Sequence, residues 1–289
     1  MAGPEFTFVA PTTMPDALDE LAQPGSLALA GGTSVAMMLK HDLLEATRLV
    51  YLARVPQLAG IESLEGRRRL RIGATVTVAE LAMSPLVWAA VPALGDAGRR
   101  VGNPRVRAVA TVGGAVVHAD PRQDLPPVLL ALDAEVHIDG PNGPRTMGLE
   151  AFLTGMFETA LEGGEIVTSV VVPVPPGLRT AYTRFTPGSV DDYPTVAVAA
   201  TLTLDAAGVV ATARIAVGGA GPTAFVAAEA SEVLRGRQPT LQLLVEAGDA
   251  AAAAGRPFDD RAGSAAYKRE MVAVWVRRTL ADALADADS

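Results

Sequence analysis

Two stretches of different texture meet at Pro173-Val174-Pro175-Pro176-Gly177, and this cluster constrains the fold more than any other part of the chain. Each proline fixes φ and removes a backbone donor, so neither a helix nor a central strand runs through it. Upstream, short apolar runs alternate in kind. Residues 6–9, 27–30, 48–52, 69–72, 134–138 and 165–174 read as strands, and residues 15–22, 35–40, 78–83 and 92–101 as helices. Downstream, residues 195–204 and 209–217 are long alternating runs joined by Asp205-Ala206-Ala207-Gly208, the pattern of an antiparallel hairpin. Helices are expected at 223–235, 240–254 and 264–285, the last with Tyr267, Met271, Val274 and Trp275 as its core stripe. The reading is an α+β chain of two domains, 1–176 and 177–289, the first divided again near residue 55 into subdomains 1–55 and 56–176.

Composition removes several kinds of chemistry. The chain has 289 residues and no cysteine, so it forms no disulfide, thiolate nucleophile or cysteine-ligated zinc or iron–sulfur centre. Redox work therefore needs a bound organic cofactor or another chain. A net charge of −8 argues against a nucleic-acid binder. The run Arg67-Arg68-Arg69 with Arg71 reads as a solvated strand face. His41, His118 and His137 are scattered, so no metal site is expected. No apolar run reaches the about 20 residues a membrane span needs. The opening MAGPEFTFVAP lacks the basic and apolar regions of a secretory leader, and a cytoplasmic protein is the expectation.

Two glycine pairs carry the functional signal. Ala30-Gly31-Gly32-Thr33-Ser34 follows a strand and opens a helix, and Thr111-Val112-Gly113-Gly114 leads into Ala115-Val116-Val117-His118-Ala119-Asp120-Pro121. Gly-Gly lets a backbone approach a ligand closely, its N–H groups can form an anion nest, and a helix N-terminus adds a favourable dipole. Two such loops could hold the two phosphates of a dinucleotide, although a Gly-Gly pair taken alone is more often just a turn. Gly219-Ala220-Gly221-Pro222-Thr223-Ala224 has the G-x-G-x-x-A spacing, but no parallel strand with an acidic residue follows, so it reads as a strand-to-helix turn.

These strings also carry a resemblance. AGGTSVAMMLK (residues 30–40) and TVGGAVVHADPRQDLPPVLLALDAEVHI (residues 111–138) resemble the two FAD loops in flavoprotein subunits of molybdenum hydroxylases of the xanthine dehydrogenase and carbon monoxide dehydrogenase type. GMFETALEGGEIVTSVVVP (residues 155–173) is similar to the segment that ends that family's FAD domain, and RIAVGGAGPTAF (residues 214–225) to a turn in its C-terminal domain. The four matches run in order over nearly the whole chain. The resemblance implies a two-subdomain FAD-binding domain of the vanillyl-alcohol-oxidase type, then a small α+β domain of antiparallel sheet and helices. It implies that Ala30, Gly31, Gly32, Thr33 and Ser34 hold the pyrophosphate while Thr111, Gly113 and Gly114 close on it. Val117 and His118 would line the nucleotide, Asp124 would contact the cofactor, and Ile166 or Val167 would pack near the adenine end. Arg184 and Tyr193 would stand by the flavin ring. From the residues alone, Asp124 could instead cap the helix beginning near Leu125, and His118 could cap the Asp120-Pro121 turn.

The expected role is electron transfer through FAD. No catalytic acid or base is assigned on this chain, because the flavin carries the chemistry. Iron–sulfur clusters of the 2Fe–2S type and molybdopterin would belong to partner chains, an iron–sulfur subunit and a large molybdopterin subunit. This sequence departs from the family pattern at Ala108, Ala115, Val226 and around Gly188-Ser189, where polar or basic residues are frequent. Those departures leave room for a stand-alone FAD-dependent oxidoreductase acting on a small molecule, or for a scaffold without cofactor.

Overall fold

The computed structural model describes residues 6–189 and 191–285. The residues before Phe6, where the leader reading begins, and those after Ala285, at the end of the second domain reading, lie outside it. Strands β1 (Thr7–Val9), β2 (Ser26–Leu29) and β3 (Arg48–Tyr51) form a parallel sheet in the order β1-β3-β2. Parallel neighbours need crossovers, and the helices Met14–Leu21 and Thr33–Lys40 supply them. Thr13 caps the first, accepting from Asp16 N–H at 3.3 Å, and Met14, Ala17 and Leu21 bury one face of it.

A larger antiparallel sheet follows. It holds β4 (Ile61–Leu64), β5 (Arg69–Gly73), β6 (Glu135–Asp139), β7 (Arg145–Gly148) and, at its centre, β10 (Ile166–Pro173). The order is β4-β5-β10-β6-β7. Between β7 and β10 lies a small ribbon of β8 (Leu153–Gly155) and β9 (Glu158–Thr159). The valines of β10 are buried, as a central strand requires. The register of β10 against β6 shifts between Val167 and Ser169, and the carbonyl of Thr168 accepts from Ala74 N–H at 3.0 Å. Only Arg69 and Arg71 of the basic run lie on β5, where Arg69 pairs with Glu65 and Glu135 and Arg71 with Glu62, while Arg67 and Arg68 belong to the turn before the strand.

The C-terminal part is an antiparallel sheet of β11 (Arg179–Phe185), β12 (Val196–Leu204), β13 (Val210–Gly218) and β14 (Phe225–Val226). Asp205 accepts from the N–H groups of Ala207 and Val209, both at 2.9 Å, and so closes the hairpin turn. The sheet is buried on both faces by strand alternation. Val198, Ala200, Ile215 and Val217 pack with the helices Ala228–Leu234, Leu241–Ala254 and Ala265–Ala285. Their neighbours Ala197, Ala199 and Ala216 belong to the core of the first part. These alanines let the helix Leu125–Ala131 approach closely. Its terminal carbonyls are satisfied from the second part: Thr201 Oγ1 donates to Ala131 O at 2.8 Å and Arg214 Nε to Leu130 O at 2.8 Å.

Two expectations need correction. The helix placed at 223–235 begins only at Ala228, because Phe225 and Val226 pair with Val217 and Ala216 as β14. The G-x-G string before it is a tight turn, with Gly219 at φ +79° donating its N–H to Pro121 O at 2.8 Å. In the last helix the buried stripe is Lys268, Val272, Val276, Thr279, Leu280 and Ala283, offset from the expected one. Tyr267 and Trp275 instead flank Phe185 at the helix edge. Lys268 enters the core because Asp260 and the Phe258 carbonyl meet its ammonium at 2.7 and 2.9 Å.

Arg145 grips Glu165 with two bonds of 2.6 and 2.7 Å, joining β7 to the start of β10. The guanidinium holds the Glu165 carboxyl below its usual range. That stabilisation is complete above the ordinary glutamate value of 4.5 and is lost as pH falls through the depressed one. Glu165→Gln is therefore expected to flatten the acid limb of thermal stability, read as melting temperature against pH, while an unchanged acid limb would contradict this pairing.

Candidate functional site

The two glycine loops lie against each other. A Cβ on Gly31 would sit 1.9 Å from Val109 O and 2.9 Å from Ala110 Cα, so only glycine fits where the first loop crosses the chain entering the second. Gly32 holds φ +72° and starts the helix Thr33–Lys40 without any side-chain cap. The first-turn N–H groups there, beginning at Thr33 and Ser34, are left for a ligand, and the helix dipole favours an anion. Ala30 and Gly31 lead in from β2 at intermediate exposure. No residue of this apolar helix is fully buried, and Met37 is 55% exposed.

The second loop is built differently from a nest. Val112 N–H donates to Val76 O at 2.9 Å, Gly113 N–H to Ala74 O at 2.9 Å, and Gly114 N–H to Thr111 Oγ1 at 3.1 Å. These three donors are consumed by the fold, which corrects the expectation of an anion nest at this pair. Gly113 is needed because a Cβ would press to 2.6 Å from Ala74 Cβ. Ala74 is itself held by the Thr168 bulge, so the central strand positions the loop through two hydrogen bonds. Gly114 is exposed, and a Cβ there would meet only Thr111 Oγ1, at 2.9 Å. Its open Cα surface, rather than its N–H, is what the second loop presents.

The helix Val112–His118 runs from this loop to Ala119, a non-glycine residue at φ +49°. Val117 and His118 are half-buried. The His118 imidazole packs against Phe157 with centroids 5.2 Å apart and the rings tilted by 45°, and burial lowers its pKa against the pull of Asp120, which favours the neutral ring. Phe157 is 53% exposed, sits at φ +59°, and its N–H donates to Ala119 O at 3.1 Å. The turn after His118 is closed by Asp120 Oδ1, which accepts from Arg122 N–H at 2.9 Å, not by the histidine.

Asp124 stands at the helix start but makes no cap. Its carboxylate accepts from Tyr182 Oη at 2.5 Å and from Arg184 Nη1 at 3.0 Å. Arg184 also donates to the carbonyls of Arg100 and Asp192. Asp124 is 6% exposed and Arg184 8%. Burial pushes the Asp124 carboxyl up and outweighs Arg184 and Tyr182, while burial and the neighbouring carboxylate hold the Tyr182 phenol well above its usual value. The cluster joins the helix Leu125–Ala131 to β11 and to the loop after it, where Tyr193 is 57% exposed. Partial burial and the carboxylates of Asp120 and Asp124 raise the Tyr193 phenol, with Arg122 opposing them. Ile166 and Val167, at 2% and 4% exposure, point into two separate core clusters. Sequence reasoning missed Tyr182, Arg122, Phe157 and the Val109–Ala110 backbone, all of which act through contacts distant in the chain.

The fold and these loops define an α+β protein with a helix start open to an anionic ligand beside a second glycine loop, and with no cysteine. The family model described as the FAD binding domain in molybdopterin dehydrogenase matches residues 4–175, and that of the CO dehydrogenase flavoprotein C-terminal domain matches residues 181–283. The chain belongs to this family of FAD-binding subunits of molybdenum hydroxylases. It is 33% identical over 283 residues to the carbon monoxide dehydrogenase medium chain of Hydrogenophaga pseudoflava, covering 97% of each. It is 34% identical over 287 residues to the 6-hydroxypseudooxynicotine dehydrogenase complex subunit alpha of Paenarthrobacter nicotinovorans, covering 98% of this chain and 96% of that one. A solved carbon monoxide dehydrogenase from Hydrogenophaga pseudoflava superposes with TM-score 0.94 at 33% identity over 99% of both chains. Quinoline 2-oxidoreductase from Pseudomonas putida 86 superposes with TM-score 0.93 at 28% identity over 100% of both. The cofactor of this domain is FAD, and the uncapped helix and paired glycine loops fit it. Among the described residues no helix is long and apolar enough to cross a membrane.

Removing Asp124 takes away the carboxylate that meets the buried Arg184 guanidinium at 3.0 Å and the acceptor of the Tyr182 hydroxyl. Asp124→Ala is expected to lower unfolding stability by about 3–5 kcal/mol in urea denaturation, and a loss below about 1 kcal/mol would contradict the clamp.

Proposed function

We propose that this chain is the electron-transfer subunit of a molybdenum hydroxylase, taking electrons from an iron–sulfur subunit and passing them to an external acceptor. The observation that carries the reading is the crossing of Gly31 over Val109–Ala110 at an uncapped helix start, in a chain of this family. When bound, FAD supplies the exchange between one-electron and two-electron transfer. The residues do the rest. Thr33 and Ser34, with Ala30, Gly31 and Gly32, would meet the pyrophosphate through backbone donors. Thr111 and Gly113 hold the second loop in place, and Gly114 offers the surface that closes on the cofactor. Val117 and His118 would line the nucleotide. Asp124 and Arg184 would fix the loop beside the flavin, with Ile166 and Val167 backing the sheet behind the site. Tyr193 would face the ring.

The absence of cysteine supports placing the iron–sulfur clusters on another chain, as does the naming of relatives as medium chains or complex subunits. The molybdopterin and the organic substrate would belong to a large subunit. A division near residue 176 and a cytoplasmic setting complete the proposal.

Stopped-flow absorbance tests it. The flavin of the isolated chain is expected to stay oxidised when mixed with the substrate of its co-purified complex, and to bleach when the complex is intact. Bleaching of the isolated chain by that substrate would overturn the proposal in favour of a stand-alone flavin oxidoreductase.

A further inference from the structure

The loop that carries Tyr193 is held from outside by two arginines. Arg184 donates to Asp192 O. Arg122 donates from Nη2 to Tyr193 O and from Nε to Pro194 O, each at 3.3 Å. Three consecutive carbonyls are thus bound by guanidinium groups, and Thr195 N–H donates to Phe185 O at 2.8 Å. Backbone anchored at four successive residues carries a side chain that is still 57% exposed. Such a ring is presented rather than packed.

Arg122 also acts on the ring itself. Its guanidinium carbon lies 5.7 Å from the Tyr193 centroid, within reach of a cation–π contact. Arg122 is oriented in turn by its own N–H, which donates to Asp120 Oδ1 at 2.9 Å. Asp120 ends the segment that starts at the second glycine loop, so the arginine that grips the ring is carried on the same stretch of chain. Only a planar fork bonds two neighbouring carbonyls and lies against a ring at once; a lysine ammonium, a point donor, holds one carbonyl less well aimed.

We propose that Arg122 is a positioning residue that sets the Tyr193 ring over the flavin end of the cofactor site. This rests on the reading that FAD is bound here with Tyr193 beside its ring. A tyrosine held against a flavin quenches its emission, which makes ring position readable without turnover.

The experiment compares fluorescence of bound FAD, after removal of free FAD, in the wild-type chain and in Arg122→Ala, Arg122→Lys and Tyr193→Ala. Melting curves confirm that each variant is folded. Tyr193→Ala is expected to brighten the flavin severalfold, Arg122→Ala to approach that level, and Arg122→Lys to fall between wild type and Arg122→Ala. Adding Arg122→Ala to Tyr193→Ala should change emission no further. Bright Tyr193→Ala with wild-type emission in both Arg122 variants overturns the role of Arg122 alone. Unchanged emission in Tyr193→Ala removes the underlying placement of Tyr193, and the proposal with it. If Arg122→Ala loses its fold or its flavin, Arg122→Lys decides between the same outcomes.

Discussion

The structure turns on a contact that contains no side chain. Where Gly31 crosses the Val109–Ala110 backbone there is no room for a Cβ, and this crossing locks an uncapped helix start beside the second glycine loop. The other side of the site is set from the central strand by short steps. The bulge in β10 sets Ala74 through Thr168 O, Ala74 sets Gly113, and Gly113 sets the helix that leads to Asp120 and Asp124. A cofactor cradle made of backbone tolerates loss of polar side chains around it, such as those absent at Ala108 and Ala115.

The second domain contributes geometry more than binding groups. It satisfies the end of the helix Leu125–Ala131 through Thr201 and Arg214 and sends Arg184 into the interior to meet Asp124. Burial raises the pKa of Asp124 despite its cationic partner, so attraction within the pair does not fully offset desolvation. Such a pair is worth more as a fixed joint than as a source of stability. It joins the first domain to the loop that presents Tyr193, and a half-formed interface would leave that loop unheld.

Much of the architecture was legible because it rests on local rules. The proline–glycine cluster, the Asp205–Gly208 turn and the alternating runs at 195–204 and 209–217 each announce themselves within a few residues. What was hidden depends on partners far away in the chain. The strand β11 carries Arg184 inward, against its polarity, because Asp124 awaits it 60 residues upstream. Lys268 lies in the core for a similar reason, which shifted the helix stripe off its apolar pattern. The glycine pairs were visible as places of close approach, but not what they approach. That Gly113 and Gly114 spend their N–H groups on Ala74 and Thr111 is a property of packing, and no motif encodes it.

The central claim is that these two loops hold FAD, and occupancy of a Gly114→Val variant tests it most directly. Gly114 faces open space apart from Thr111 Oγ1, so valine should cost the fold no more than a cap, about 1 kcal/mol, while filling the surface offered to the cofactor. Released FAD is measured against protein after denaturing purified wild type and variant. The account predicts a full flavin complement in the wild-type chain and loss of most of it in a variant with unchanged far-UV circular dichroism. A folded variant that keeps its full FAD, or a colourless wild-type chain that also fails to take up added FAD, would contradict it.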